Sequence, residues 1–179
     1  NWYMKIKKYI KKTLPANFIK KFRKIILGYG AETYYFSQSG EEGILRGIFY
    51  KKLEDNENGF YVDVGAFHPT KFSNTYFFYL NGWNGINIDA NPGSMKLFNK
   101  IRCRDINLNL AVANNKTILT YYIIENKPEM NTFSKEFLKR FGIDKLITNE
   151  IKIETYTLKE IFQKYLPKEK TIDFLNVDV

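Results

Sequence analysis

Short apolar runs of strand length alternate with helix-length segments along most of this chain, and that alternation restricts it to an α/β fold with a mostly parallel sheet and flanking helices. Phe60–Val64 reads as a buried strand that stops at Gly65. Thr75–Leu80 reads as a helix ended by Asn81-Gly82, and Gly85–Asp89 as a second strand. Asn91-Pro92 opens another helix through Met95, Leu97 and Phe98, because proline suits a first helical turn. Ile106–Val112 reads as a third strand, Asn114-Asn115-Lys116 as a turn and Thr117–Ile124 as an alternating strand. A short helix is expected at Lys135–Phe141, a strand at Ile151–Thr157, a helix at Leu158–Tyr165 and a last strand at Ile172–Val179. Ahead of all these, Ser37–Tyr50 reads as a helix capped by Ser39. Glu41 and Glu42 would sit at the positive end of its dipole, and Ile44, Leu45, Ile48 and Phe49 would form its apolar face.

The chain of 179 residues is 44% hydrophobic and 26% charged, which fits one globular domain. A single cysteine, Cys103, excludes an internal disulfide and fits a reducing compartment, so a cytoplasmic location is expected. One His and one Cys cannot supply the four ligands of a structural zinc site. The net charge of +9 is unevenly placed. Nine lysines and arginines fall before the first acid, Glu32, and the remaining basic residues equal the acidic ones in number. Residues 1–30 therefore read as a basic helical arm and 31–179 as a formally neutral domain. In residues 1–27, Met4, Ile6, Ile10, Leu14, Phe18, Phe22 and Ile25 recur at helical intervals, with Pro15 dividing the arm into two helices. No apolar run there spans a bilayer, and none resembles a secretory signal. Two readings of the arm stay open: reversible contact with an anionic membrane at the inner surface, and a solvated or partner-packing helix. The neutral body argues against specific nucleic-acid binding, which spreads basic charge over a working face.

In a parallel sheet ligands bind beyond the carboxyl ends of the strands. The first strand ends Val62-Asp63-Val64-Gly65-Ala66-Phe67-His68-Pro69, where Gly65 permits a sharp turn and close approach of a ligand. The second strand ends at Asp89, 24 residues after Gly65, where a carboxylate can accept hydrogen bonds from both hydroxyls of a ribose. The pair implies a nucleoside cofactor. A dinucleotide is disfavoured because Phe67 and Thr70 occupy the positions of the later glycines of G-x-G-x-x-G, and no phosphate-binding P-loop exists. S-adenosylmethionine has a ribose and no phosphate, so this loop tolerates it.

These stretches resemble the FkbM-type methyltransferases. The blocks that carry the resemblance are Ser37 to Glu42, Tyr61 to Ala66, Ser73-Asn74-Thr75, Gly82 to Pro92, Asp105 to Val112 and Ile172 to Val179, in order and with compatible spacing. The resemblance implies a Rossmann-like class I methyltransferase fold and S-adenosylmethionine-dependent O-methylation of a sugar, nucleotide-sugar or other small metabolite in polysaccharide or natural-product biosynthesis. It further implies that Asp63, Gly65 and Ala66 lie along the methionine part of the cofactor, that Asp89 holds the ribose, and that Asn109, Leu110 and Ala111 border the adenine. Ser37, Gln38 and Glu41 would close the site. The family pattern continues past Asp178-Val179, so the sheet is expected to be incomplete at the C-terminal end and the chain to be a truncated piece lacking much of the acceptor pocket. His68 and Asp178 are the candidate catalytic bases. His68 could instead shape its loop, and Asp178 could instead hold a divalent cation that acidifies the acceptor hydroxyl. Two other functions remain as alternatives: a non-catalytic cofactor- or partner-binding fragment, and methylation of RNA drawn to the basic arm.

Overall fold

Strand Phe60–Val64 (β1) is buried at every residue, as a strand covered on both faces must be. It pairs in parallel with Asn84–Ile88 (β2) on one side and with Phe174–Val177 (β7) on the other. Ile106–Leu108 (β3) adds to β2, again parallel, so the main sheet has the order β3-β2-β1-β7. The computed structural model describes residues 35–124 and 126–179. The two-helix arm expected up to residue 30, and its membrane contact, lie outside the described residues.

Alternation of side chains along β1 sorts the core into two clusters. Phe60, Val62 and Val64 join Ile86 and Ile88 on one face, covered by Ile161 of the helix Leu158–Tyr165 (α6). Tyr61 faces the other way, against Phe77, Phe78 and Tyr79 of the helix Tyr76–Leu80 (α3) and against Trp83. Trp83 lies so close to Gly59 that a Cβ there would meet its ring at 2.4 Å. The helix α6 begins with a capping box: Thr157 Oγ1 accepts from the Glu160 amide and Glu160 accepts from the Thr157 amide.

Three expected elements take a different form. The helix expected over Ser37–Tyr50 is two helices, Glu41–Ile48 (α1) and Tyr50–Glu54 (α2), and the N-cap residue of α1 is Gly40, with no side-chain cap, rather than Ser39. Ser37 Oγ accepts from the amides of Gly40 and Glu42, while Gly40 takes a left-handed φ of 90°. Of its expected apolar face, Leu45 and Phe49 pack on the core, but Ile44 and Ile48 are exposed. The helix expected from Pro92 begins at Met95 (α4, Met95–Ile101), after a turn in which Gly93 has φ +80°.

The strand expected over Ile106–Val112 breaks in the middle. Asn109 stands between β3 and a second short strand, Ala111–Val112 (β4). That strand leaves the main sheet and pairs with Asn149–Tyr156 (β6), which also pairs antiparallel with Ile118–Ile123 (β5). The connection from β5 to β6 carries the expected short helix, Lys135–Arg140 (α5), capped by Ser134. From Phe36 to Val179 the chain is a single unit. Among the described residues no helix is long and apolar enough to cross a membrane.

Candidate functional site

All four strands of the main sheet run the same way, and their last residues are in register: Leu108 beside Ile88, Ile88 beside Val64, Val64 beside Val177. The first residue past each strand therefore falls in one row: Asn109, Asp89, Gly65, Asp178. The amides of the last three continue the ladder. Asp89 N donates to Leu108 O at 3.1 Å, Gly65 N to Ile88 O at 2.9 Å and Asp178 N to Val64 O at 3.0 Å. Four residues singled out from the sequence thus stand side by side at the carboxyl edge.

Asp89 binds the row together. Its Oδ2 accepts from the Phe67 amide at 2.8 Å and its Oδ1 from the Asn91 amide at 2.8 Å, so the acid of β2 grips the turn after β1. Burial raises the Asp89 pKa, against the pull of the Asn91 and Phe67 amides. Each oxygen keeps a further lone-pair direction for a ligand hydroxyl. Asn109 steadies the same loop: its Nδ2 donates to Asp89 O at 2.7 Å and to Asn91 O at 2.9 Å, and its Oδ1 accepts from Gly93 N. Asn131, from the β5–β6 connection, donates to Asn91 Oδ1 at 3.3 Å. Leu110 and Ala111 turn their side chains into the core instead.

Gly65 is a glycine for a reason the sequence did not reveal. Its φ is +77°, and a Cβ there would lie 1.8 Å from the carbonyl oxygen of Asp178. The missing side chain makes room first for the end of β7, which crosses close to the turn. Ala66 is buried against Met95 and Phe98. Phe67 takes φ 50°, an uncommon value for an aromatic residue, and stacks on Phe72 at 6.2 Å.

His68 accepts at Nδ1 from the Thr70 amide at 3.1 Å and the Lys71 amide at 3.0 Å. Amides can only donate, so Nδ1 is unprotonated and the neutral ring carries its hydrogen on Nε2. With its hydrogen on Nε2 and Nδ1 engaged by the two amides, the neutral ring has no free lone pair to take a proton. Burial, with help from Lys71, lowers its pKa below the ordinary 6.5. A lowered base pKa adds stability above pH 6.5 that is lost as pH falls through the folded value. The chain has one histidine, so its imidazole signals are resolved by NMR without assignment. A proton titration is expected to give a midpoint below 6.5; a midpoint above it would contradict the loop-acceptor geometry.

A second row lies two residues back, on the α3 face of the sheet: Asn107, Asn87, Asp63, Asn176. Sequence reasoning found Asp63 and missed the network it belongs to. Asp63 is buried, accepting from Thr75 Oγ1 at 2.7 Å and from Asn176 Nδ2 at 2.9 Å. Thr75 in turn accepts from both terminal nitrogens of Arg102 at 3.0 Å. Arg102 is fully buried and also donates to Asp105 at 2.8 Å and to the Tyr61 hydroxyl at 2.7 Å. Asp105 accepts in addition from Tyr61, Asn87 and the Gly85 amide. The guanidinium thus ties the loop after β1 to the underside of the sheet.

Gln38 and Glu41 are exposed at the start of α1, and no hydrogen bond among the described residues joins either to the strand-end row. Glu41 instead accepts from the Ser39 amide. Its neighbour Glu42 is the buried acid, paired with Arg46 and accepting from the Phe36 amide at 3.0 Å. Asp178 is exposed. Among the described residues no group of three or more His, Cys, Asp or Glu side chains is placed to hold a metal ion.

No curated protein and no solved structure gives a significant match. The model of the FkbM methyltransferase domain matches residues 63–179, which begins within β1 and takes in the whole strand-end row. That match spans well over half of the chain, and with the parallel α/β sheet it establishes that this chain belongs to the FkbM methyltransferase family.

Proposed function

We propose that the chain binds S-adenosylmethionine across the ends of β1, β2 and β3 and transfers its methyl group to a hydroxyl oxygen of a sugar, nucleotide-sugar or similar small metabolite in polysaccharide or natural-product biosynthesis. The observation that carries this reading is the row Asn109–Asp89–Gly65–Asp178, closed by the bond from Phe67 N to Asp89. The residues present suit this cofactor. Asp89 has acceptor capacity left for two ribose hydroxyls, and the exposed Asn109, its amide committed to the loop after β2, holds that loop beside the place of the base. Phe67 stands where a dinucleotide fold needs glycine, which favours a cofactor without a diphosphate.

Bound there, S-adenosylmethionine supplies a methyl group already activated by a sulfonium. The protein's work is then to hold the acceptor in line and to take its proton. We assign proton removal to Asp178, an exposed acid whose backbone follows β7 beside Gly65. To His68 we assign the shaping of the loop, since its Nδ1 is engaged by two amides. Ala66 and Asp63 back the methionine end, and we give Gln38 and Glu41, both exposed and without a bond to the strand-end row, no part in it. A divalent cation at Asp178 would need further oxygen ligands from the acceptor. The exposed free thiol of Cys103 suits action in the cytoplasm. Incubating the full-length protein with S-adenosylmethionine labelled in the methyl carbon and a panel of sugars and nucleotide-sugars tests the reading. Label in an ether-linked methyl of one acceptor is expected; label recovered only in RNA would overturn it.

A further inference from the structure

We propose that the buried relay Arg102–Thr75–Asp63 keeps one uncompensated negative charge beneath the strand ends, and that this charge makes the site favour a cationic methyl donor over the neutral thioether left after transfer. The inference rests on the cofactor reading above and adds a specificity to it.

Charge bookkeeping in the network motivates it. Arg102 is matched by Asp105, which its Nε meets at 2.8 Å, and both side chains are wholly buried. Asp63 is also buried, yet its two oxygens meet a hydroxyl and an amide, not a cation. Burial and the nearby Asp105 carboxylate raise its pKa, while Thr75, Asn176 and the more distant Arg102 hold it down. Thr75 is committed as donor to Asp63 because its oxygen accepts from Arg102 twice. The guanidinium therefore sets the hydroxyl's direction and favours the ionised acid. Asp63 precedes Gly65 by two residues, about 7 Å along the strand. In a dry interior a charge is felt over that distance.

In the transfer the acceptor oxygen bonds to the methyl carbon, and the sulfur–carbon bond breaks with its electron pair staying on sulfur. The hydroxyl proton leaves to the base. The ligand thereby loses one positive charge, and a buried carboxylate nearby loses its attraction to it. The charge thus favours binding of the donor and release of the product.

Titration calorimetry of the full-length protein with S-adenosylmethionine and S-adenosylhomocysteine tests this. Asp63→Asn is expected to weaken the sulfonium ligand about tenfold relative to the thioether, which corresponds to about 1.4 kcal/mol. Affinity for the thioether should stay within about threefold. Thr75→Val is expected to move the ratio the same way by a smaller factor, and Thr75→Ser to restore it; this pair carries the test if Asp63→Asn does not fold. A merely structural role weakens both ligands equally, and equal loss, or an unchanged ratio, overturns the proposal. Failure of the unaltered protein to bind either ligand would instead sink the cofactor reading itself.

Discussion

Replacing Arg102 by methionine is expected to lower the melting temperature by about 6 to 20 °C. The side chain has no exposed surface and donates to Asp105, Tyr61, Thr75, Ser73 and the Pro69 carbonyl. Methionine fills much of the same space but leaves Asp105 buried without its cation. Breaking a buried pair from one side costs about 3–5 kcal/mol, and a domain of this size loses about 2–4 °C per kcal/mol. Arg102→Lys is expected to fall between the two, because an ammonium keeps the charge but cannot fork between Asp105 and the Thr75 hydroxyl. Thermal unfolding followed by circular dichroism measures both. A shift under about 2 °C for the methionine variant would show that the network is not what joins the loop to the sheet.

Asp89→Ala is expected to weaken binding of S-adenosylhomocysteine about 100- to 1000-fold. Hydrogen bonds to a charged group are worth about 1.5–3 kcal/mol each, and the ribose offers two. Part of that is returned when the freed hydroxyls stay in water, which leaves about 3–4 kcal/mol. The same substitution removes the acceptor of the Phe67 and Asn91 amides, so stability will fall as well. Asp89→Asn separates the two effects. It keeps the size and one acceptor, and it should lose about tenfold in affinity with a smaller fall in Tm. Calorimetry on protein shown to be folded at the temperature of titration gives the affinities. Loss of less than about threefold in the alanine variant would remove Asp89 from the ribose.

The sheet was legible from the chain because its strands are short apolar-rich segments bounded by turn residues: Phe60–Val64 lies between Gly59 and Gly65, and Asn84–Ile88 between Gly82-Trp83 and Asn91-Pro92. Strand ends gave Gly65, Asp89 and Asp178, whereas Asn109, expected inside a longer strand, was singled out only by the family resemblance; the registers then placed the four side by side. Where periodicity misled, a local side chain decided the outcome. Asn109 spends its amide on the loop after β2 and so ends β3. Ser37, two residues before the residue expected to cap, satisfies the amides that open α1. Ile44 and Ile48 show that apolar spacing on a helix does not by itself say which stripe is covered.

The Arg102 network left no trace in the sequence. An arginine at the end of a helix reads as a surface residue, and its partners Tyr61, Thr75 and Pro69 are distant in the chain. Asn87, Asn107 and Asn176 alternate with apolar neighbours, and alternation alone suggests solvent on that face. They are instead joined by hydrogen bonds under α3: Asn87 donates to Asn107 at 2.8 Å and Asn176 to Asp63 at 2.9 Å. Polar residues at matching positions of several strands are the one signal that could have shown a buried polar row, and it becomes visible once the register is known. Gly65 is a related case. A ligand was expected in the space its missing side chain leaves, but the Asp178 carbonyl stands there.

The most direct test is an amide NMR titration of the full-length protein with S-adenosylhomocysteine. Occupation of the strand-end row should move the Phe67 and Asn91 signals most, because their shared acceptor Asp89 must divide itself with the ribose, and Gly65 and Asn109 should follow. Saturable binding that leaves Phe67 and Asn91 where they were would contradict the placement of the cofactor at the ends of β1 and β2.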